Sequence, residues 1–409
     1  MLAPLDAVNP PRRTARLVLV SPDGVVVGAL PPVPLPTPWW QDIGPLVAAV
    51  REQQGLEITV LRLLEASLSK PPGGEVTYLA EVDWAPAGIE PWDGALDEQA
   101  RRLPYARPGG PAADLAWAQA RLAERGLAPV ERPQQVRTWN LSSLWRIPHH
   151  GGAAWLKVVP AFFAHEGAVL AHLADRRVPA LLAQDGPRCL LEELQGEDLY
   201  AATLAQRLAM IDLLVDLQAE QAGQVDNLLA LGLPDWRAGP LAEAISSVAD
   251  RAAPDLSPDD RATLARFLRG LPTRMAGIAD CGLPDTLVHG DFHSGNFRGW
   301  GDELTLLDWG DSGVGNPLLD QPAFLSRAEA AQVPALRDHW RDRWREYAAG
   351  SDPVRAAELI APVAAARQAV IYQGFLDRIE PSEHPYHRAD PADWLARTAA
   401  LLRDENQSL

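Results

Sequence analysis

The period of the apolar positions changes several times along the chain, and each change marks an element. Two β-branched runs, 16–20 and 25–27, flank Pro22-Asp23-Gly24, which predicts a hairpin across an Asp-Gly turn. Ile43, Leu46, Val47 and Val50 then recur at helical spacing, and Gly55 stands where such a helix should stop. Strand-like runs follow at 58–64 and 76–82, and a second helical pattern covers roughly 112–125 and ends at Gly126. Proline-rich stretches at 31–38, 104–111 and 128–133 punctuate this part, and strand pattern restarts after Pro133. Leu208, Ile211 and Val215 keep one helical face, and 356–378 is a long apolar-rich stretch. No window reaches ~18 uninterrupted apolar residues, so no transmembrane helix is expected.

Length sharpens this outline. At ~150 residues per domain, 409 residues predict two or three domains, with the main boundary near residue 130. The chain carries 37 Lys+Arg against 54 Asp+Glu, a net charge of −17. The excess lies late: from Leu191 onward 35 acids face 19 arginines. That argues against nucleic acid or an anionic membrane as partner, because either needs a basic face. It favours cationic or metal-linked ligands, with a solvated acidic surface as the alternative. Only two of the basic residues are lysines, Lys70 and Lys157. Two cysteines, Cys189 and Cys281, make neither a disulfide framework nor a metal-ligand spacing. With no signal-peptide pattern at the start, a cytoplasmic protein is expected.

The sharpest chemical signal lies at 287–320. A strand-like Leu287-Val288 runs into His289-Gly290-Asp291, and Asn296 follows after four residues. A second strand-like run at 304–307 precedes Asp308-Trp309-Gly310. The pattern is H-x-D-x4-N followed by D-x-G, the catalytic-loop arrangement of phosphoryl transfer. The chemistry explains the residue types. An attacking hydroxyl needs an acceptor for its proton, which Asp291 can supply. Mg²⁺ is hard and takes oxygen ligands, which Asn296 and Asp308 can supply. His289 fits a prop for the loop better than a titrating group.

His-Gly-Asp-Phe-His-Ser-Gly-Asn at 289–296 resembles the motif of the aminoglycoside phosphotransferase and choline kinase group. Gly290 and the tail from Asp308 through Gly315-Asn316-Pro317 to Asp320 resemble the small-molecule branch rather than the protein kinases. The resemblance covers about 135–409 and implies a bilobal protein-kinase-like fold, with an N-lobe at about 129–190 and a C-lobe at about 195–409. It implies that Lys157, in a strand-like run, touches the nucleotide phosphates and pairs with Glu166. It also implies that the backbone near Glu192–Leu194 holds the adenine. Ser142 and Ser143 fall where a phosphate-binding turn is expected, although they read equally well as ordinary turn residues. The implied cofactors are ATP, with GTP not excluded, and Mg²⁺.

The first ~128 residues resemble the Nudix hydrolases in element order. With Gly55-Leu56 set on the last two positions of the Nudix box, Glu52 fits one of its glutamates. Gln53 replaces the next, Ala48 and Ala49 occupy the Arg-Glu pair, Trp40 the upstream glutamate and Pro34 the first glycine. One carboxylate of four cannot build an oxygen-rich Mg²⁺ site. The resemblance implies the fold and a non-catalytic domain.

The expected protein is therefore α+β: a small degenerate Nudix-like α/β domain at 1–128, then a kinase-like domain at 129–409. Its expected reaction moves the γ-phosphoryl group of ATP to a hydroxyl of a small molecule. Acidic and aromatic residues late in the chain suit a cationic acceptor through charge and cation–π attraction. They are Asp311, Trp340, Trp344, Tyr372, Asp377, Glu380 and Glu383, with Asp311 foremost. The alternative is a nucleotide-binding regulator or scaffold without turnover.

Overall fold

The expected hairpin forms from Arg13–Val20 (β1) and Val26–Leu35 (β2), paired antiparallel, and the helix that follows is Gly44–Gln54 (α1). These elements come from a computed structural model that describes residues 11–301 and 303–407. Leu46, Val47 and Val50 form the buried face of α1, and Gly55 ends it in the left-handed conformation at φ 62°. Thr59–Ala66 (β3) and Gly74–Glu81 (β4) complete a four-stranded sheet of order β2-β1-β4-β3, in which β1 and β4 run parallel. Pro31, Pro32 and Pro34 do not break the chain but lie within β2. An edge strand tolerates proline because its outer N–H groups have no ladder partner to lose.

The chain divides into two units, each taken by itself. The first holds the residues up to Ala164 together with Leu181–Glu193 and Phe375–Arg388. Besides the four-stranded sheet it contains Gly110–Glu124 (α2) and a second, antiparallel sheet. The strands of that sheet are Gln134–Trp139 (β5), Ser142–His149 (β6), Gly152–Val158 (β7), Leu181–Asp185 (β8) and Arg188–Glu192 (β9), in the order β5-β6-β7-β9-β8. Ala118 and Leu122 of α2 pack on Trp145, Ile147, Leu156 and Leu190 of this second sheet. The Gln135 side chain ties the two sheets together, donating to Val60 O at 2.7 Å and accepting from Val60 N–H at 2.9 Å.

Residues 375–388 belong to the same unit. Tyr386 lies in its core, with ring centroids 5.4 Å from Trp40 and 5.5 Å from Trp139. Glu380 is buried and meets Arg102 at 3.0 Å and Arg62 at 3.6 Å. Glu383 accepts the Leu63 N–H at 2.9 Å, and Asn140 donates to its carbonyl at 3.3 Å.

The second unit holds His165–Ala180, Leu194–Gly374 and the residues from Ala389. It is mainly helical: His165–His172 (α3), Leu204–Gln221 (α4), Val225–Ala230 (α5), Ala238–Ala252 (α6), Pro258–Ala279 (α7), Gln321–Leu325 (α8), Val333–Tyr347 (α9), Pro353–Leu376 (α10) and Asp390–Gln407 (α11). Two small sheets frame its loops. Glu197–Asp198 (β10) pairs with a hairpin of Phe297–Trp300 (β13) and Glu303–Leu306 (β14). Asp235–Trp236 (β11) and Thr286–Val288 (β12) flank Gly313–Gly315 (β15). One described helix, α10, is long and apolar enough to cross a membrane, with mean hydropathy 1.2, and 56% of that window is buried inside the protein.

Candidate active site

Two short connections carry the H-x-D-x4-N and D-x-G motif, and the β13–β14 hairpin brings them together. Asn296 directly precedes β13, and Leu307 and Asp308 follow β14. Phe297 pairs with Leu306 across the ladder, and Leu307 N–H donates to Asn296 O at 2.8 Å. Asn296 and Asp308, twelve positions apart in sequence, are thereby brought to the open end of one hairpin.

The loop before it is held from behind. Asp320, 1% exposed, accepts His289 N–H at 2.9 Å, Gly290 N–H at 2.8 Å and Gln218 Nε2–H at 3.0 Å. Burial pushes the Asp320 carboxyl up, against the pull of these donors and of His289 and Arg367. The His289 ring is wholly buried, donating from Nε2 to Leu307 O at 2.8 Å and facing Asp291 N–H with Nδ1 at 3.4 Å. Its partners require the neutral Nε2–H tautomer, and burial pushes its pKa down accordingly. The ring is thus spent on the loop.

Gly290 has φ 91°, and a Cβ there would meet Asp311 O at 1.9 Å. Its carbonyl accepts from Arg367 Nη2 at 2.7 Å and Gln368 Nε2 at 3.3 Å. Only glycine fits this junction, because the positive φ and the close backbone approach both exclude a side chain. Asp311 is placed here, at the end of the turn that follows Asp308.

The Asp291 carboxylate is 37% exposed. Oδ2 lies 3.4 Å from His293 Nε2 and 3.3 Å from Asn296 Nδ2, and Oδ1 lies 3.5 Å from Arg327 Nη1. Burial alone would push this carboxyl up. Hydrogen bonding and charge from His293, with Arg327 behind them, outweigh that and hold it well below the usual carboxylate range. Asn296 Nδ2 also donates to Asp291 O at 2.8 Å. With the amide nitrogen committed twice, the Asn296 Oδ1 is the end of the side chain left for another ligand. Asp308 sits at φ 63°, an uncommon conformation for a residue with a side chain. Among the described residues no group of three His, Cys, Asp or Glu could hold a metal ion. A cation here would draw on an amide oxygen, a carboxylate and the oxygens of its own ligand, the donor set a hard divalent ion takes.

Glu166 is buried in the first turn of α3 and accepts the Trp309 N–H at 3.3 Å, so it braces the turn after Asp308. Lys157, its expected partner, lies half-buried in β7 of the other unit. Ser142 and Ser143 are not in a turn. They begin β6, and the turn is Asn140-Leu141. Their hydroxyls accept the indole N–H groups of Trp139 and Trp145, each at 3.1 Å, and Ser143 is 1% exposed. Glu192 ends β9 opposite Ala154, Glu193 N–H donates to Ala153 O at 3.2 Å, and Leu194 O accepts from Arg298 Nε at 3.1 Å.

The sequence pattern of the phosphotransferase enzyme family (APH) matches residues 145–359, more than half of the chain. The chain belongs to this family. No curated protein matches it. Among solved structures, it is similar to a macrolide 2′-phosphotransferase type I at 18% identity and TM-score 0.49, covering 71% of this chain and 97% of that one. A macrolide 2′-phosphotransferase from Brachybacterium faecium gives 17% identity and TM-score 0.46, covering 67% and 97%. A choline/ethanolamine kinase family protein from Mesorhizobium loti gives 16% and 0.48, covering 72% and 97%.

Several acceptor-side expectations change. Trp340 and Trp344 are core residues, 0% and 1% exposed, and Trp340 packs edge-on against Phe292 and Phe324. Asp377, Glu380 and Glu383 belong to the other unit, where Arg62, Arg102 and the Leu63 N–H hold the two glutamates. Helical spacing cannot tell a pocket tryptophan from a core one, and a glutamate's partner 278 residues away leaves no local trace. Conversely, Arg327 and Arg367 touch the loop and Gln218 holds Asp320, although nothing in their spacing marks them. His293 was visible inside the motif but had no assigned role.

Proposed function

We propose that the chain is a small-molecule kinase, moving the γ-phosphoryl group of ATP to a hydroxyl with Mg²⁺. One observation carries this reading: the Asp291 carboxylate, the Asn296 amide and Asp308 are gathered at the open end of one hairpin, on a loop pinned by Asp320. The second sheet is read as the N-lobe and the helical unit as the C-lobe. Lys157 serves the phosphates, Glu166 braces the Asp308 turn, and the backbone near Glu192–Leu194 faces the base. The family membership supports phosphotransfer as such, and the donor set supports the cation.

In the transfer, the acceptor hydroxyl donates its hydrogen bond to Asp291. As its oxygen bonds to the γ-phosphorus, the bond to the β–γ bridging oxygen breaks and the proton passes to the Asp291 carboxylate. A carboxylate held strongly acidic is a weak base. That suits phosphoryl transfer, in which the hydroxyl proton becomes acidic only late, as the new bond forms. Asn296 Oδ1 and Asp308 would hold Mg²⁺, which neutralises phosphate charge when bound. His289 and Asp320 keep the loop in place, so that Asp291 reaches one fixed position.

The segment before residue 128 is read as a Nudix-like domain without hydrolase chemistry. Where the Nudix box needs a carboxylate, Trp40 is fully buried and donates its indole N–H to Gly73 O at 2.7 Å. A cytoplasmic setting accords with Cys189 and Cys281, both buried thiols.

The test is an acceptor screen with ATP·Mg²⁺, following ADP release, with Asp291→Asn in parallel. Acceptor-dependent release that falls about 10²–10⁴-fold in the variant is expected. Equal rates for both proteins would remove Asp291 from the reaction and the kinase reading with it.

A further inference from the structure

The two oxygens of the Asp291 carboxylate are not equivalent. Oδ2 already faces His293 Nε2 at 3.4 Å and Asn296 Nδ2 at 3.3 Å. Among the described residues Oδ1 faces Arg327 Nη1, at 3.5 Å. An acceptor hydroxyl that seeks the open lone pairs of Asp291 therefore meets Oδ1, and the guanidinium beside it. Among the described residues Arg327 Nη1 is buried and makes no hydrogen bond. The residue is not a loose surface cation, since its side chain is 24% exposed and its backbone N–H donates to Phe324 O at 3.2 Å. Phe324 in turn stacks on Phe292, the residue after Asp291, at 4.9 Å between centroids. Packing thus fixes the Arg327 backbone relative to the loop that carries Asp291.

Among the described residues of this unit, the surroundings of the loop do not supply the acidic cage a cationic acceptor would want. Glu380 and Glu383 are held in the other unit, and the tryptophans are core. The acids that remain near the loop face the buried Arg367, whose charge interacts with Asp320, Asp311 and Asp291. Tyr372 also feels Asp390, Asp291 and Asp311 against Arg327. Of these groups, Arg327 is the one that stands against the open oxygen.

Resting on the kinase reading above, we propose that Arg327 is the acceptor-binding cation. The hydroxyl compound then carries an anionic group, a carboxylate or phosphate, within a few bonds of the accepting hydroxyl. A planar guanidinium fork matches either group with two parallel hydrogen bonds. A neutral acceptor leaves the buried nitrogen with its ion pair to Asp291 and no hydrogen bond, and an ammonium group is repelled. Arg327 would so determine specificity, selecting which hydroxyl compound reaches Asp291.

The experiment uses the full chain with ATP·Mg²⁺ and three acceptor panels. These are hydroxy acids such as glycerate and 4-hydroxybutyrate, neutral polyols, and amino alcohols such as choline. Wild type should phosphorylate an anionic acceptor best. Arg327→Ala should raise KM for that acceptor about tenfold or more while leaving KM for ATP within about twofold, and Arg327→Lys should restore part of the loss. Preference for an amino alcohol or a neutral polyol, or a rise in KM for ATP alone, would overturn the assignment while leaving the kinase reading intact. Absence of transfer to all three panels, with ATP hydrolysis unchanged by Asp291→Asn, would overturn both.

Discussion

Glu383→Gln should change how stability depends on pH. The Glu383 carboxyl is 3% exposed, and burial pushes it from an ordinary 4.5 up to about 8. The neighbouring Glu380 adds to that rise, while the Leu63 N–H, Arg62 and the Asn140 backbone oppose it without cancelling it. Because the folded pKa is raised, the stabilising contribution is complete below about pH 4.5 and is lost as the pH climbs towards 8. Over that window the folded chain keeps a proton that the unfolded chain gives up. The gap between 4.5 and about 8, at ~1.36 kcal/mol per pH unit, amounts to roughly 5 kcal/mol lost across the window. Glutamine keeps the oxygen that accepts the Leu63 N–H and cannot ionise. The two proteins should therefore be close in stability near pH 5, and the variant should be more stable at pH 8 by several kcal/mol. Urea unfolding followed by tryptophan fluorescence at pH 5, 6.5 and 8 measures this difference directly. Parallel pH profiles for the two proteins would refute the reasoning, because they would mean that Glu383 ionises in the fold as easily as out of it.

Other outcomes follow from the same contacts. Gly290→Ala puts a Cβ 1.9 Å from Asp311 O at a positive φ. It should cost more than the ~1–2 kcal/mol of left-handed strain alone and abolish acceptor-dependent ADP release, which denaturation midpoints and turnover would record together. Lys157→Arg keeps the charge but replaces a compact ammonium with a planar fork, so transfer should fall roughly tenfold or more with fold stability retained. Normal kinetics in that variant would reduce Lys157 to a strand residue. Removing residues 1–128 strips Arg62 and Arg102 from the buried Glu380 and the Leu63 N–H from Glu383. A buried charge without its partner costs about 3–5 kcal/mol, so the remainder should be aggregated or molten by circular dichroism. A soluble, cooperatively folding 129–409 fragment would contradict this.

The difference between what spacing reveals and what packing decides runs through the whole molecule. Hairpin β1–β2, helix α1 and its Gly55 cap were legible because each depends on a period or turn within a dozen residues. The same holds for His289, Asp291, Asn296 and Asp308. A loop, a hairpin and a second loop carry them, and the Phe297–Leu306 pairing needs no distant partner to bring Asn296 and Asp308 together. Sequence by itself thus determined the phosphotransfer loop and the rarity of lysine. Only tertiary structure decided the signs of the charges around Asp291. The acidity of the second half suggested a cationic acceptor, yet Glu380 and Glu383 fold back onto Arg62, Arg102 and Leu63, while Arg327 arrives at the carboxylate from 36 positions away. Net charge is a sum along the chain. A pocket is set by which side chains the packing of α8 and the Phe292–Phe324 stack bring within a few ångströms, and no local pattern encodes that choice.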